Sequence, residues 1–286
     1  MNSRVLHRSG AVPPTAVGGQ GIYLHLADGT RIIDGSGGAA VACLGHGNRR
    51  IAEAIGRQAA TMAYAHTGTF SSRPAEDLAH IVLDGEPGGL THAYFCSSGS
   101  EGTEAALKLA RQYFVEIGQP QRTRFIARRQ SYHGNTLGAL GAGGNMMRRA
   151  LYEPILAPAF NLVSPCFAYR FKRNDETDAQ YVDRLADELE AEFQRLGPQS
   201  VIAFIAEPVV GATTGCVTAL PGYFRRVPPR HLSNVLTSPA ALARACRPAL
   251  RAFSRRPSFW MSMNIRPTPT TSTMSATLNT GHSWFS

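Results

Sequence analysis

Residues 178–196 place Val182, Leu185, Leu189, Phe193 and Leu196 at helical spacing, and Gly197-Pro198 then leads into residues 201–206, which are apolar at every position. A strand apolar on both sides needs cover on both faces, which helices packed on a parallel sheet provide and a half-solvated antiparallel sheet does not. The same change of period occurs upstream. An apolar run at 92–96 precedes helical spacing at 101–117, and an apolar run at 124–127 precedes a short helical stretch at 135–140. The sequence therefore predicts an α/β fold with a mostly parallel sheet. Residues 21–35 read as an N-terminal hairpin, with Ile22, Leu24 and Leu26 alternating before the turn dipeptide Asp28-Gly29. Helices are predicted at 48–65 and 73–83, the second with Ser72 near its N-cap and Pro74 in its first turn.

Charge divides the chain unevenly. The whole sequence has 29 Lys+Arg against 20 Asp+Glu, yet the last acidic residue is Glu207, and the 79 residues after it contain nine arginines, no lysine and no carboxylate. The first 207 residues balance at 20 basic and 20 acidic. The excess is thus a property of the tail, whose arginines show no helical stripe and few interleaved aromatics, so no nucleic-acid partner is expected. Residues 227–286 are rich in Ser, Thr, Pro and Arg and are expected to be disordered, apart from a short basic helix at 240–253 interrupted by Pro248. No run of eighteen apolar residues and no leader-like start is visible, so the chain is expected to be cytoplasmic and without a membrane span. Cys43, Cys96, Cys166, Cys216 and Cys246 form no CxxC pair, which argues against a disulfide framework or a metal site.

Chemistry concentrates where predicted strands end. Ser98-Gly99-Ser100-Glu101 joins one strand end to a helix start, where free N–H groups and the helix dipole favour an anion and where Ser98 and Ser100 add hydroxyl donors. Ser98 with Glu101 also satisfies a capping box, which needs no ligand. A P-loop is excluded, since the two lysines, Lys108 and Lys172, do not follow a glycine. A dinucleotide fingerprint is unsupported, because Gly99 and Gly102 do not make GxGxxG. Tyr132-His133-Gly134 and Glu207-Pro208 follow two further strands, so all three clusters can gather at one sheet edge, where α/β folds bind ligands. Together they suggest an aromatic, phosphorylated cofactor: Tyr132 to stack on a ring, His133 to hydrogen-bond beside it, Glu207 to orient a polar group. Singly, each also reads as an ordinary core aromatic, loop histidine or strand-terminal charge.

As a set these residues resemble class III pyridoxal-phosphate-dependent aminotransferases. The resemblance rests on Gly21-Ile-Tyr-Leu, Asp28-Gly29, Ile33-Asp34, Ser36-Gly37-Gly38, Leu44-Gly45-His46, Ser98-Gly99-Ser100-Glu101, the run from Glu104 to Arg111, Tyr132-His133-Gly134, Glu207-Pro208-Val209 and Pro221-Gly222-Tyr223, in that order. It implies the fold-type-I large domain and the cofactor pyridoxal 5'-phosphate. It also implies transfer of an amino group between a primary amine or ω-amino acid and a keto acid, usually in a homodimer with its active site between subunits. Ser98, Gly99 and Ser100 would hold the cofactor phosphate, Tyr132 and His133 would lie at its ring, and Glu207 would lie close by. In the family's GABA and ornithine branches a second acidic residue follows five positions after this glutamate; here it is Ala212, which makes those substrates less expected.

The family's chemistry also needs a lysine that forms a Schiff base with the cofactor and an aspartate at the pyridine nitrogen, and no residue after Glu207 supplies either. Lys108 begins about 12 Å down the same helix from Ser100, and Lys172 lies in a polar loop-like run. The expected organisation is residues 1–48 as part of a small domain, 49–226 as a partial cofactor-binding domain, and 227–286 as an anomalous tail that replaces the usual continuation, as a frame shift near 225–229 would produce. The rival reading is a non-catalytic fragment that binds a phosphorylated ligand or a partner and carries a basic tail.

Overall fold

The computed structural model describes residues 3–7, 10–85 and 90–227. The predicted helix at 240–253 and the rest of the tail beyond Val227 lie outside the described residues. Two compact units divide between Arg73 and Pro74.

In the first unit, β1 (Ala16–Gln20), β2 (Tyr23–Leu26) and β3 (Arg31–Ile33) form an antiparallel sheet in the order β1-β2-β3. The predicted hairpin is β2 and β3, and its turn is set locally by Asp28, whose Oδ1 accepts from the Thr30 N–H at 2.9 Å. Sequence reading missed β1: Ala-Val-Gly-Gly-Gln has weak strand propensity and is extended by pairing along the open edge of β2. After α1 (Gly37–Ala40), His46 Nε2 lies 2.9 Å from Asp34 Oδ2, an interaction that holds the Asp34 carboxyl below its usual range. Helix α2 (Arg49–Thr61) starts where the Asn48 side chain accepts from the Ile51 N–H, and it stops short of residue 65 because Met62 is extended, with φ −161°.

Helix α3 (Arg73–Val82), predicted from Ser72 and Pro74, belongs to the second unit from Pro74 onward. That unit continues through α4 (Gly99–Glu116), β4 (Arg124–Arg128), α5 (Leu137–Ala142), α6 (Met146–Arg149), β5 (Phe160–Val163), α7 (Ala168–Phe171), α8 (Asp178–Leu196) and β6 (Val201–Ile205). A ribbon of β7 (Val209–Val210) and β8 (Val217–Thr218) and the single turn α9 (Tyr223–Arg226) follow. The sheet runs β5-β4-β6, and both pairings are parallel.

The all-apolar β6 is explained by its two covers. Tyr181, Val182, Leu185, Leu189 and Phe193 of α8 pack with Ile126, Val163, Val201 and Phe204 on one side. Leu107, Ala110, Tyr113 and Phe114 of α4 pack with Phe125, Ile202 and Ala203 on the other. Successive Ile202 and Ala203 share a side because the β4–β6 register slips between Arg124 and Phe125. The first turns of α4 are left out of this core, since its buried residues begin at Leu107.

The strand expected at 92–96 does not form. Tyr94 is 81% exposed and Phe95 47%, and the segment makes no ladder with any described strand, so its backbone groups lack the partners that would define a strand. Strand β5 was missed because polar Asn161 interrupts its short run; the Asn161 amide is accommodated by donating to the Phe125 carbonyl at 3.3 Å. Among the described residues, no helix is long and apolar enough to cross a membrane.

Before α8, Glu176 accepts from Arg184 Nε at 2.6 Å and from the Arg173 N–H at 3.0 Å, and the Arg184 hydrogen bond dominates in lowering its carboxyl to about 2. A carboxyl depressed on folding contributes stability that is full above its unfolded pKa and is lost as pH falls to its folded value. Glu176→Gln is therefore expected to narrow the gap in melting temperature between pH 5 and pH 2; an unchanged gap would show that the pair contributes nothing.

Candidate active site

The amino end of α4 is capped without exhausting its donors. Ser98 is the N-cap, its Oγ accepting from the Glu101 N–H at 3.2 Å, while Glu101 Oε2 accepts from the Ser97 N–H at 2.7 Å. The capping reading is thus realised, with its return bond one residue earlier than in the standard box. No described group accepts from the Gly99 or Ser100 N–H, and a Cβ on Gly99 would meet nothing within 4 Å. The first turn of an 18-residue helix therefore keeps two outward donors at its positive end.

Three side chains fasten this helix end to the loop after β4. Ser100 Oγ donates to Asn135 Oδ1 and accepts from the Asn135 N–H, both at 3.1 Å. Thr103 Oγ1 donates to the His133 carbonyl at 2.7 Å. Glu104 Oε1 accepts from Thr136 Oγ1 (2.6 Å), Gly138 N–H (2.9 Å) and Ala139 N–H (3.2 Å), which caps α5 from a neighbouring helix. On the other side, the Tyr132 N–H donates to Glu207 Oε1 at 2.9 Å and the Gly211 N–H to Glu207 Oε2 at 3.3 Å. Hydrogen bonds thus connect Ser100, Tyr132, His133 and Glu207 at the carboxyl ends of β4 and β6. Ser98 joins them only through its own helix.

The Ser100 hydroxyl already spends its proton on Asn135, so an arriving anion meets the Gly99 and Ser100 N–H groups first. Arg148 lies over the Tyr132 ring, 5.2 Å from its centroid. Burial pushes the His133 imidazole below its ordinary range; the Glu207 charge opposes this and the Arg128 charge adds to it. His133 is accordingly neutral at pH 7. Four buried side-chain atoms lack a hydrogen-bond partner among the described residues: Arg128 Nε and Nη1, Gln130 Oε1 and His133 Nε2. All belong to residues 128–133, the end of β4 and the loop that follows it, so the unsatisfied polarity among the described residues is concentrated beside this cluster.

Neither lysine is at this place. Lys108 is exposed on α4, and Lys172 Nζ pairs with Asp178 Oδ1 at 2.6 Å. Sequence reasoning missed Thr103, Glu104, Asn135, Arg128 and Arg148. Their partners lie up to 79 residues away, and no spacing rule links such distant positions.

The chain matches the Aminotransferase class-III family over residues 7–230. It is 51% identical over 213 residues to an uncharacterised aminotransferase of Schizosaccharomyces pombe, covering 74% of this chain and 46% of that protein. It is 37% identical over 208 residues to an uncharacterised aminotransferase of Bacillus subtilis, covering 73% and 46%. Among solved structures, an omega transaminase from Pseudomonas jessenii in complex with PMP superposes with a TM-score of 0.72 at 30% identity, over 75% of this chain and 47% of that one. An (S)-enantioselective omega-transaminase from Thermomicrobium roseum gives 0.70 at 36% identity, over 75% and 47%. The chain spans about half the length of the curated relatives it matches. With its sheet, helix order and motif set, this chain belongs to the class III aminotransferase family.

Proposed function

We propose that residues 98–100, 132–133 and 207 form the pyridoxal 5'-phosphate cradle of a class III aminotransferase that moves an amino group between an amine or ω-amino acid and a keto acid. The observation that carries this reading is the hydrogen-bonded fastening of the α4 amino end to the Tyr132 loop and of that loop to Glu207. When bound, the cofactor supplies an aldehyde that takes up the amino group and a pyridine ring that accepts electrons.

The protein's part is binding and orientation. The Gly99 and Ser100 N–H groups, at the positive end of α4, bind the phosphate, with the Ser98 hydroxyl as a further donor. Arg148 covers one face of the Tyr132 ring, and the pyridine would stack on the other. Neutral His133 offers a hydrogen bond without adding charge. Glu207 keeps acceptor capacity on both carboxylate oxygens, because each takes one backbone N–H. Residues 1–48 belong to the small domain and 49–226 to the cofactor domain in this reading, and the working enzyme is a homodimer.

With Lys108 exposed on α4 and Lys172 ion-paired, this sequence has no lysine placed to bond the cofactor. Adding pyridoxal phosphate to this chain is expected to give saturable binding at the cradle, with borohydride leaving Lys108 and Lys172 unlabelled. Labelling of either lysine together with turnover would overturn the assignment of roles; absence of any binding would overturn the cradle.

A further inference from the structure

Arg128, the last residue of β4, is 1% exposed. A guanidinium so deeply buried is costly unless a carboxylate answers it. None of the described carboxylates makes an ion pair with it. Arg128 Nη2 instead donates to the main-chain carbonyl of Glu207 at 2.5 Å. Its guanidinium carbon lies 5.6 Å from the Tyr223 ring centroid and 6.0 Å from that of Phe224. Arg149 shows the contrast. It is 5% exposed, and its donors serve the carbonyls of Leu140, Gly141 and Gly143 and the carboxylate of Glu153, so closing the end of α5 accounts for it fully. Arg128 meets one main-chain carbonyl and the Tyr223 and Phe224 rings, while its Nε and Nη1 lack a hydrogen-bond partner among the described residues.

We propose that Arg128 is a positioning residue of this site: it grips Glu207 by the main-chain carbonyl, leaving the carboxylate to hold Tyr132. Its charge acts on His133 against that of Glu207. An arginine bonded to the carboxylate itself would occupy the lone pairs that the site needs. By taking the carbonyl, Arg128 fixes the β4–β6 seam, and the Glu207 side chain stays free to accept from Tyr132, Gly211 and a ligand. Other groups near Arg128 cannot serve as its anion. Burial pushes the Tyr223 hydroxyl up to about 12 and raises the Cys166 thiol, so both are neutral at pH 7. Glu207 and Arg128 are the charged groups that act on His133, in opposite directions.

Only the ligand in this inference rests on the proposed cofactor. The test compares Arg128→Met, Arg128→Lys and Glu207→Gln by NMR titration of the His133 imidazole and by pyridoxal-phosphate affinity. Arg128→Met is expected to raise the His133 titration midpoint and Glu207→Gln to lower it, whereas a purely structural role would move stability without opposite shifts. Arg128→Lys keeps the charge and loses the fork, so it should leave His133 near its wild-type midpoint while weakening pyridoxal phosphate about tenfold. A folded Arg128→Met with wild-type titration and affinity would overturn the proposal. Should that variant fail to fold, unchanged affinity in Arg128→Lys would overturn it equally. If the wild type binds no pyridoxal phosphate, the cofactor reading fails, and the His133 shifts still decide the role of Arg128.

Discussion

Gly134→Ala is expected to weaken pyridoxal-phosphate binding by at least about tenfold and to destabilise the larger unit by about 2–5 kcal/mol. Gly134 sits at φ +132°, where an L side chain is strained, and the new methyl would lie 2.7 Å from Ser100 Oγ, 2.8 Å from Ala139 Cβ and 2.9 Å from Ser100 Cα. These atoms belong to α4 and α5, so relief requires the Tyr132 loop to move off the helix end proposed to seat the phosphate. Affinity should therefore fall further than the affinity for pyridoxal, which lacks the phosphate. A variant with native affinity and melting temperature would show that the close approach is not part of the site.

Gly144→Ala should be the most damaging single methyl. Its Cβ would stand 2.1 Å from the Arg128 carbonyl oxygen and 2.5 Å from Arg129 Cα, both backbone atoms at the end of β4. The Gly144 N–H donates to Ser131 Oγ at 3.0 Å, and its carbonyl accepts from the Gln130 N–H at 2.8 Å, so separation would break the bonds that shape the loop before Tyr132. A cost of about 3 kcal/mol or more is expected, a large part of a typical domain's stability. Gly56→Ala, in α2 with nothing within 4 Å, serves as the control and should gain about 0.5–1 kcal/mol. Equal urea midpoints for the two variants would refute this packing argument.

What the sequence revealed follows from how local each cause is. Helix α8 was legible to the residue because its apolar stripe, the Gly197-Pro198 stop and the cover that β6 demands are all written within thirty positions. The segment at 92–96 looks like β6 in composition, yet a strand is defined by its neighbour, and no described strand pairs with it. At the site, Ser98, Gly99, Ser100, Tyr132, His133 and Glu207 were conspicuous because their types imply chemistry. Glu104 and Arg128 were not, because their importance comes from what the folded sheet brings to them: the start of α5 for one, the Glu207 carbonyl for the other.

Where pyridoxal phosphate touches this chain is the most direct test of the proposed cradle. A ¹H–¹⁵N correlation titration against pyridoxal phosphate, with pyridoxal as the phosphate-free comparison, reads this residue by residue. The amides of Gly99 and Ser100 are expected to move with pyridoxal phosphate alone, and those of Tyr132, His133 and Gly211 with both ligands. Perturbations centred elsewhere, or identical responses of Gly99 and Ser100 to the two ligands, would contradict a phosphate seat at the amino end of α4.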